Sequence, residues 1–490
     1  YRVGDFYEMF FDDALTASRE LELTLTGKAC GLPDRAPMCG VPFHSYEIYA
    51  ARLIAKGYKV AICEQMEDPA LAKGLVKRDI IRVITPGTVI ESSMLADDKN
   101  NYICSIYTRK VRSRWKAGIC FADISTGEAY ATELTAEKMG PAIITELCRY
   151  IPSEILINPA LLDLKEVTNY VRQHTHALVE LREDACYQQR VMEDAMTAQF
   201  GADWRNTCGF AQDGLVPYAF GALLGYLHET QKHGIDRIKS VQNYADAQYM
   251  RLSPVTRANL ELTETMRGRE KRGTLLWVLD KTETSMGKRQ LRAWIEQPLV
   301  DSSVINQRLD AVEALYNANV TRADLKEALS HVYDIERLTT RILYGSATPK
   351  EVKALGDTCV YLPQVRQLAR QCTTPLLQEL SGAVDPLEDL LDLINRALVE
   401  DPPANLKDGG AIRAGFNAEV DELRDIMHGG KGFLSQLEAK LKKETGIPKL
   451  KIGFNKVFGY YIEVSRSYAA SVPDTFIRKQ TLTTGERYIT

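Results

Sequence analysis

The first stretch with chemical potential is residues 2–13, whose pattern predicts a strand that carries an aromatic ring and a carboxylate. Successive strand side chains point to opposite faces, so Phe6 and Glu8 share one face while Tyr7 and Met9 share the other. An exposed ring beside an exposed carboxylate can stack on a base and hydrogen-bond to it. The same spacing suits a half-buried strand with Phe6 in the core and Glu8 in solvent. The stretch alone leaves both interpretations open.

A second candidate is a basic region near the end of the sequence. Residues 424–490 contain twelve Lys or Arg and six Asp or Glu, a net charge of +6, which leaves −10 for the rest of a chain whose total is −4. A basic module on an acidic body suits contact with a polyanion at one place, although a solvated charged surface explains the charge equally well. Residues 478–481 (RKQT) place two cations beside two neutral donors, a group that suits phosphate oxygens.

Asp123 is the residue that a nuclease hypothesis would use. It lies near the end of a predicted strand, residues 117–124, and resembles the first metal carboxylate of ribonuclease-H-like nucleases. One carboxylate does not hold two metals, and no partner acids stand out on later strands. The ten cysteines form no Cys-x-x-Cys pair, and His174 and His176 have no carboxylate or thiol at metal-binding spacing. We therefore predict no metal site and no catalytic residue.

Length and composition point to a multidomain protein. A chain of 490 residues is too long for one core and predicts roughly three to five domains. No run approaches the ~18 apolar residues of a membrane span, and no charged-then-apolar leader opens the sequence, so we expect a cytoplasmic protein without membrane contact. The sequence starts without Met inside a strand pattern and stops without a terminating signal. We expect it to be a fragment.

Periodicity divides the chain into four predicted domains. Residues 1–90 predict a small mixed α/β domain, and residues 98–225 predict a second α/β domain with strand, hairpin and helix in that order. Residues 240–412 show helical periodicity, with few turn signals between 300 and 400, which is typical of a long-helix scaffold. Residues 413–490 return to mixed, partly β structure.

Short motifs through the whole chain resemble, in order and spacing, those of the bacterial MutS family of DNA mismatch-repair proteins. Any one of them is weak, but the ordered set is specific. They are GDFYE at 4–8, FDDA at 11–14, GVPFH at 40–44, ITPGT at 84–88, DISTG at 123–127, NLEL at 259–262, TL at 274–275, LD at 279–280, MG at 286–287, GFN at 453–455, GYYI at 459–462 and RKQT at 478–481.

The resemblance implies a fold and a binding mode. The four domains would be a mismatch-recognition domain, a ribonuclease-H-like connector, a helical lever or core, and a partly β clamp inserted into that core. The family's Phe-x-Glu motif falls on Phe6 and Glu8, with the ring wedged at the mispair and the carboxyl group hydrogen-bonded to the base. The family's protein is a dimer around a bent duplex, in which one subunit inserts its Phe.

The resemblance also assigns partners and backbone contacts. We expect binding to double-stranded DNA with mismatches or small loops, a homodimer, and downstream mismatch-repair proteins as partners. Because phosphates repel a carboxylate, our hypothesis is that Glu8 is protonated when it is bound and donates to a base nitrogen. The clamp's contacts to the DNA backbone would fall on Lys451, Lys456, Arg466, Arg478, Lys479 and Gln480.

One departure from the family concerns its ATPase. The family's nucleotide-binding domain has a glycine-rich loop that ends in Gly-Lys-Ser or Gly-Lys-Thr. The three Gly-Lys pairs in this sequence are followed by Ala29, Arg289 and Gly432, and none has the loop's upstream glycine. We therefore expect no cofactor and no enzymatic activity in these residues, and Mg-ATP only for the full-length family. The alternatives are a nuclease centred on Asp123 and a helical interaction scaffold.

Overall fold

The chain forms a mixed α/β, multidomain structure, as the sequence predicted. The computed structural model describes residues 1–31, 33–67, 76–112, 114–232, 234–245, 248–455, 459–473, 475–482 and 485–489. It contains two compact units, Tyr1–Ile394 and Asn395–Thr490. None of the helices in the described ranges combines the length and the apolar composition that crossing a bilayer requires. The predicted boundary between lever and clamp, at residues 412 and 413, stays a prediction.

The first sheet is antiparallel and has a helix on one face. Helix α1 (Phe11–Leu21) packs its buried alanines and Leu21 against Met9 and Cys39. Since Met9 alternates with Glu8, the face that carries Phe6 and Glu8 is the one turned away from this core. The strands are β1 (Arg2–Val3), β2 (Phe6–Phe10), β3 (Thr26–Lys28) and β4 (Ala36–Pro42), in the order β1-β2-β4-β3.

The prediction of one strand over residues 2–13 is wrong at both ends. Gly4, with φ of 58°, makes the turn of a hairpin in which Val3 pairs with Phe6. The strand stops again at Phe11, whose φ is 53°, and α1 begins there. Two aspartates occupy its first turn, where the positive end of the helix dipole favours them. Strand periodicity did not reveal these two reversals.

A helix and a two-stranded ribbon complete the first predicted domain. Helix α2 (Tyr46–Ala55) buries Ala50 and Ile54. These side chains form an apolar cluster with Ile62 and Ile84 of the ribbon. The ribbon strands are β5 (Val60–Gln65) and β6 (Arg78–Ile84).

The second sheet has a packed core on each face. Helix α7 lies on one face, and Gly118 allows this approach, because a Cβ there would lie 2.3 Å from the Leu215 carbonyl carbon. Helix α3 contributes Ile143 and Leu147 to the other face. The helices are α3 (Met139–Tyr150), α4 (Lys165–His174), α5 (Gln189–Phe200), α6 (Trp204–Cys208) and α7 (Val216–Gln231).

The strand order of this sheet is β11-β10-β7-β8-β9-β12. Strands β7, β8 and β9 form an antiparallel meander, and β10 pairs parallel to β7. Strands β11 and β12 extend the two edges in parallel. The strands are β7 (Ile103–Val111), β8 (Arg114–Asp123), β9 (Glu128–Thr135), β10 (Glu154–Ile157), β11 (Leu178–Leu181) and β12 (Gln242–Asn243).

Residues 254–397 are helical but more divided than expected. Side-chain caps at Thr284, Asp301, Asp334 and Thr348 begin new helices, and Thr348 forms a full capping box with Glu351. Between residues 300 and 400, where the sequence shows few turn signals, these caps divide the region into several helices. The helices are α8 (Pro254–Asn259), α9 (Leu275–Leu279), α10 (Ser285–Glu296), α11 (Ser302–Asn317), α12 (Asn319–Ser330), α13 (Ile335–Leu343), α14 (Pro349–Arg370), α15 (Pro375–Ala383) and α16 (Glu388–Ala397).

The second unit contains an antiparallel sheet with the order β13-β14-β16-β15. One face of this sheet supplies Ile462, Val464 and Tyr488 to a core with Ile447 and Leu450. The elements are α17 (Ala418–Thr445), β13 (Lys451–Asn455), β14 (Gly459–Ser465), β15 (Ile477–Thr481) and β16 (Gly485–Ile489).

Within the first unit, buried arginines of the helices bind the backbone of residues 96–101, which we call the strap. Arg337 donates to the carbonyl oxygens of Ala96 at 2.9 Å and Lys99 at 2.8 Å. Its side chain is buried, and burial together with repulsion from Arg289 lowers its pKa. The strap carbonyls therefore supply acceptors to a buried charged donor.

Three more cations hold the middle of the strap. Arg292 Nε donates to the Asp98 carbonyl at 2.9 Å, and Arg289 donates to the Asp97 carbonyl at 3.4 Å. Lys271 donates to the Asp98 carboxylate at 3.0 Å. The strap is thus bound through backbone and side chain along its length.

Removing the Arg337 guanidinium should destabilise the first unit. Arg337→Met keeps a long side chain but leaves the two carbonyls without their donor, so we expect the free energy of unfolding to fall by about 2–4 kcal/mol, measured by urea denaturation. Arg322→Met is the control, because exposed Arg322 also donates to two carbonyls, those of Leu315 and Tyr316. We expect no measurable change there, and equal losses in both variants would contradict this account.

Candidate functional site

Phe6 stands at the start of β2, directly after the hairpin turn at Gly4 and Asp5. Its side chain is on the open face of the first sheet, and the residue is 48% exposed. The Phe43 amide donates to the Asp5 carbonyl at 3.0 Å, which ties the turn to the segment after β4. The Arg2 guanidinium lies 3.5 Å from the centroid of the Phe43 ring. Contacts of Asp5 and Arg2 with Phe43 therefore fix the hairpin that carries Phe6.

Glu8 lies on the same face as Phe6 but is much less exposed. Its side chain is 15% exposed, and Oε2 accepts a hydrogen bond from Lys28 Nζ at 2.5 Å. On the opposite face Tyr7 donates to the Glu64 carboxylate, and burial together with this carboxylate raises the Tyr7 pKa. The predicted site residues do not include Lys28, because the Gly27-Lys28 pair bears only on the phosphate-loop motif in the sequence.

Asp123 is a buried structural acceptor in this fold. One carboxylate oxygen accepts hydrogen bonds from the Ser125 amide and hydroxyl, and the other accepts them from the Asn100 side chain and the Asn101 amide. Asn100 also donates to Glu128 at 2.8 Å. Both Asp123 oxygens therefore have protein donors, an arrangement that does not favour the nuclease hypothesis.

Glu128 shares this polar cluster. Burial, with repulsion from Glu336 and Asp123, raises the Glu128 pKa to about 7. Across the residues that the structure describes, no three His, Cys, Asp or Glu side chains are arranged to hold a metal ion. The cluster connects the second sheet to the strap, since Asn100 and Asn101 belong to the strap and Asn101 also donates to the Pro86 carbonyl at 2.9 Å.

The predicted backbone-contact residues are exposed where the structure describes them. Lys456 lies outside the described residues. Arg478 pairs with Glu486 at 3.1 Å, and the side-chain amide oxygen of Gln480 accepts a hydrogen bond from Arg487 at 3.0 Å. The exposed residues of this set are Lys451, Arg466, Arg478, Lys479 and Gln480.

The strand register places the predicted backbone-contact residues on different faces of the sheet of the second unit. Lys451, on edge strand β13, shares a cross-strand row with Glu463, Arg487 and Gln480. That row is on the open face, whereas Arg478 pairs with Tyr488 of the packed face. A bulge between 478 and 480 causes this change of face. Arg487 is not among the predicted contacts, because its place in this row follows from strand β16, which the sequence pattern did not predict.

The three Gly-Lys pairs lie inside regular elements. The first is in β3, the second is in α10 and the third is in α17. The glycine of the second pair lies in the first turn of α10, where its amide donates to Thr284 Oγ1 at 2.9 Å.

Family models match three consecutive parts of the chain. They are described as MutS domain I at residues 1–93, MutS domain II at residues 101–242 and MutS domain III at residues 255–471. The chain belongs to the MutS family. These matches cover the open face with Phe6, the second sheet and most of the helical region.

Relatives with the family name align over the whole chain. Proteins named DNA mismatch repair protein MutS are 46% identical in Ruminiclostridium cellulolyticum, 47% identical in Acetivibrio thermocellus and 46% identical in Clostridium perfringens, each over 100% of this chain. The alignments cover 55%, 56% and 53% of those relatives. The chain thus spans about half the length of the curated MutS relatives that it matches.

The exposure of Phe6 predicts how much Phe6→Ala changes the free energy of unfolding, and the size of that change distinguishes a surface residue from a core residue. Phe6→Ala removes a ring that is half in solvent, so we expect the free energy of unfolding to fall by less than about 1 kcal/mol. Phe121→Ala is the matched control, since Phe121 is 0% exposed in the second sheet and should lose about 3–5 kcal/mol. Urea denaturation of both variants measures this. Comparable losses would place Phe6 in the core.

Proposed function

We propose that this chain binds mismatched double-stranded DNA in DNA mismatch repair. The observation that carries the proposal is an aromatic ring, Phe6, held on the open face of a small sheet beside Glu8. The names of the MutS relatives support it, since all three are called DNA mismatch repair proteins. Mismatches and small loops are the proposed targets.

Phe6 would act as a wedge at the mispair. A mispair stacks and pairs poorly, so separating it from its neighbour costs less than separating a matched pair, and an inserted ring recovers part of that cost. Discrimination then depends on how easily the duplex deforms rather than on one pattern of base edges. Such a mechanism accepts many different mispairs. Glu8 would hydrogen-bond to the displaced base and fix its position beside the ring.

The second unit would hold the DNA backbone. Its open face and edge strand β15 present amide and cationic donors, which suit phosphate oxygens without reading sequence. Arg487 joins this proposed surface, because its guanidinium lies on the open face 4.3 Å from the Tyr461 ring centroid. The proposed contacts are Lys451, Lys456, Arg466, Arg478, Lys479 and Gln480.

The finer domain assignments belong to the same proposal. We assign residues 1–90 to mismatch recognition, 98–225 to a ribonuclease-H-like connector, 240–412 to a lever and 413–490 to a clamp. The connector assignment is supported by an antiparallel meander whose first strand, β7, pairs in parallel with β10. We also propose that the complete protein is a cytoplasmic, nucleoid-associated homodimer that contacts downstream repair proteins. Its Mg-ATP would bind outside residues 1–490.

Loss of the Phe6 ring should remove mismatch preference. For Phe6→Ala we expect equal affinity for duplexes that differ by a single mispair, with weak, salt-dependent binding retained through the second unit. Titration of both duplexes at several salt concentrations measures preference and residual binding together. The wild-type chain must show the preference, and a variant that keeps it would exclude Phe6 as the wedge.

Loss of two cations on β15 should weaken binding without changing preference. Arg478→Ala with Lys479→Ala should lower affinity for matched and mismatched duplexes by the same factor and reduce the slope of log K against log salt by up to about two. Arg190→Ala with Lys326→Ala is the control, because it removes two exposed cations of the first unit. An effect confined to mismatched DNA would contradict the backbone role.

A further inference from the structure

The open face of the first sheet carries a charged group with no assigned role, the ammonium of Lys28. Lys28 belongs to β3, whereas its partner Glu8 belongs to β2, and β4 lies between these strands. The 2.5 Å contact between Nζ and Oε2 therefore crosses a whole strand. Cross-strand pairs normally join adjacent strands, so the intervening strand must leave room for this one.

The contact between Glu8 and Lys28 runs obliquely over β4, and Gly40 lies at its Glu8 end. Gly40 is the residue of β4 that pairs with Glu8. A Cβ at Gly40 would lie 3.6 Å from Glu8 Cγ and 3.2 Å from the Tyr7 carbonyl oxygen. Lys28 pairs with Ala36 of the same strand, β4. The two long side chains therefore approach each other obliquely above β4.

The Lys28 side chain is more exposed to solvent than the Glu8 side chain that it contacts. The Glu8 side chain is 15% exposed, while the Lys28 side chain is 41% exposed. Lys28 Nζ also lies 5.4 Å from the centroid of the Phe10 ring, on the same face. The carboxylate is thus covered and the ammonium stands on its solvent side, where a duplex bound to this face would approach.

Resting on the proposed function, we infer that Lys28 is a specificity-determining positioning residue for mismatch recognition. It holds the Glu8 carboxylate in place through the ion pair and offsets the repulsion that DNA phosphates exert on that carboxylate. The Glu8–Lys28 ion pair then contacts the mispaired base as one unit. Glu8 accepts a hydrogen bond from a base N–H, whereas the protonated Glu8 of the sequence hypothesis donates one.

A double-mutant cycle tests this inference. The ratio of affinities for mismatched and matched duplexes is measured for Lys28→Met and Lys28→Arg, each with Glu8 present and with Glu8→Gln. With Glu8 present, we expect Lys28→Met to lower the ratio about tenfold and Lys28→Arg to keep it within about twofold. With Glu8→Gln, Lys28→Met should change the ratio by less than about twofold, because no carboxylate remains to be held.

Three results would overturn the inference. A uniform loss of affinity in Lys28→Met with an unchanged ratio would make Lys28 a phosphate contact only. An equal fall in the ratio with Glu8 and with Glu8→Gln would show that Lys28 does not act through the carboxylate. A wild-type chain without mismatch preference would overturn the proposed function as well, so the two failures are distinguishable.

Two further variants keep the test interpretable. Lys28→Gln retains a neutral donor and should lower the ratio as Lys28→Met does, so it replaces that variant if thermal unfolding shows a folding defect. Lys56→Met is the matched control, because the Lys56 side chain, directly after α2, is 45% exposed and pairs with Glu20 of α1 at 2.9 Å. It should leave the ratio unchanged. An effect of Lys56→Met equal to that of Lys28→Met would also contradict a specific role.

Discussion

Buried guanidinium groups that bind backbone carbonyls are the interaction on which the first unit depends. Arg289, Arg292 and Arg337 come from helices α10 and α13, and each donates to a carbonyl of the strap. A buried arginine without an acceptor is costly. These three buried guanidinium groups therefore favour the position of the strap in which its carbonyls accept their hydrogen bonds. Its last residues then bind Asp123 and Pro86, which brings three parts of the chain to one place.

The apolar cores have a more local task. Separate clusters close the first sheet against α1, the ribbon against α2, and the second sheet against α3 and α7. Because α1 fills one face of the first sheet, alternation leaves the ring of Phe6 no apolar core to enter. Its exposure is thus a consequence of how Met9 and Cys39 are packed. A short hairpin, fixed at Asp5 and Arg2, then gives the exposed ring a defined position.

Local pattern predicted much of this fold and little of its polar chemistry. The strand at residues 154–157 and the shared face of Phe6 and Glu8 follow from side-chain alternation, which depends on neighbours in sequence. The partners of charged groups do not. Arg337 binds a carbonyl 241 positions away, and Lys28 reaches Glu8 because the strand order places β3 and β2 on either side of β4. Asp123 shows the same limit, since its position at a strand end fits a ligand and a structural acceptor equally.

The two residues of the Phe-x-Glu motif therefore differ in the kind of contact that each would make with DNA. In the proposed complex Phe6 has no charge to screen, so its contribution at a base step would depend on stacking and on how easily the step opens. DNA phosphates would repel the Glu8 carboxylate, so its contribution would depend on whether Lys28 remains beside it as a duplex arrives. Stacking would respond to any weak step, whereas the paired carboxylate would respond only where a base presents an N–H at the right place. Selectivity among mispairs would then come from the ion pair, and tolerance of many mispairs would come from the ring.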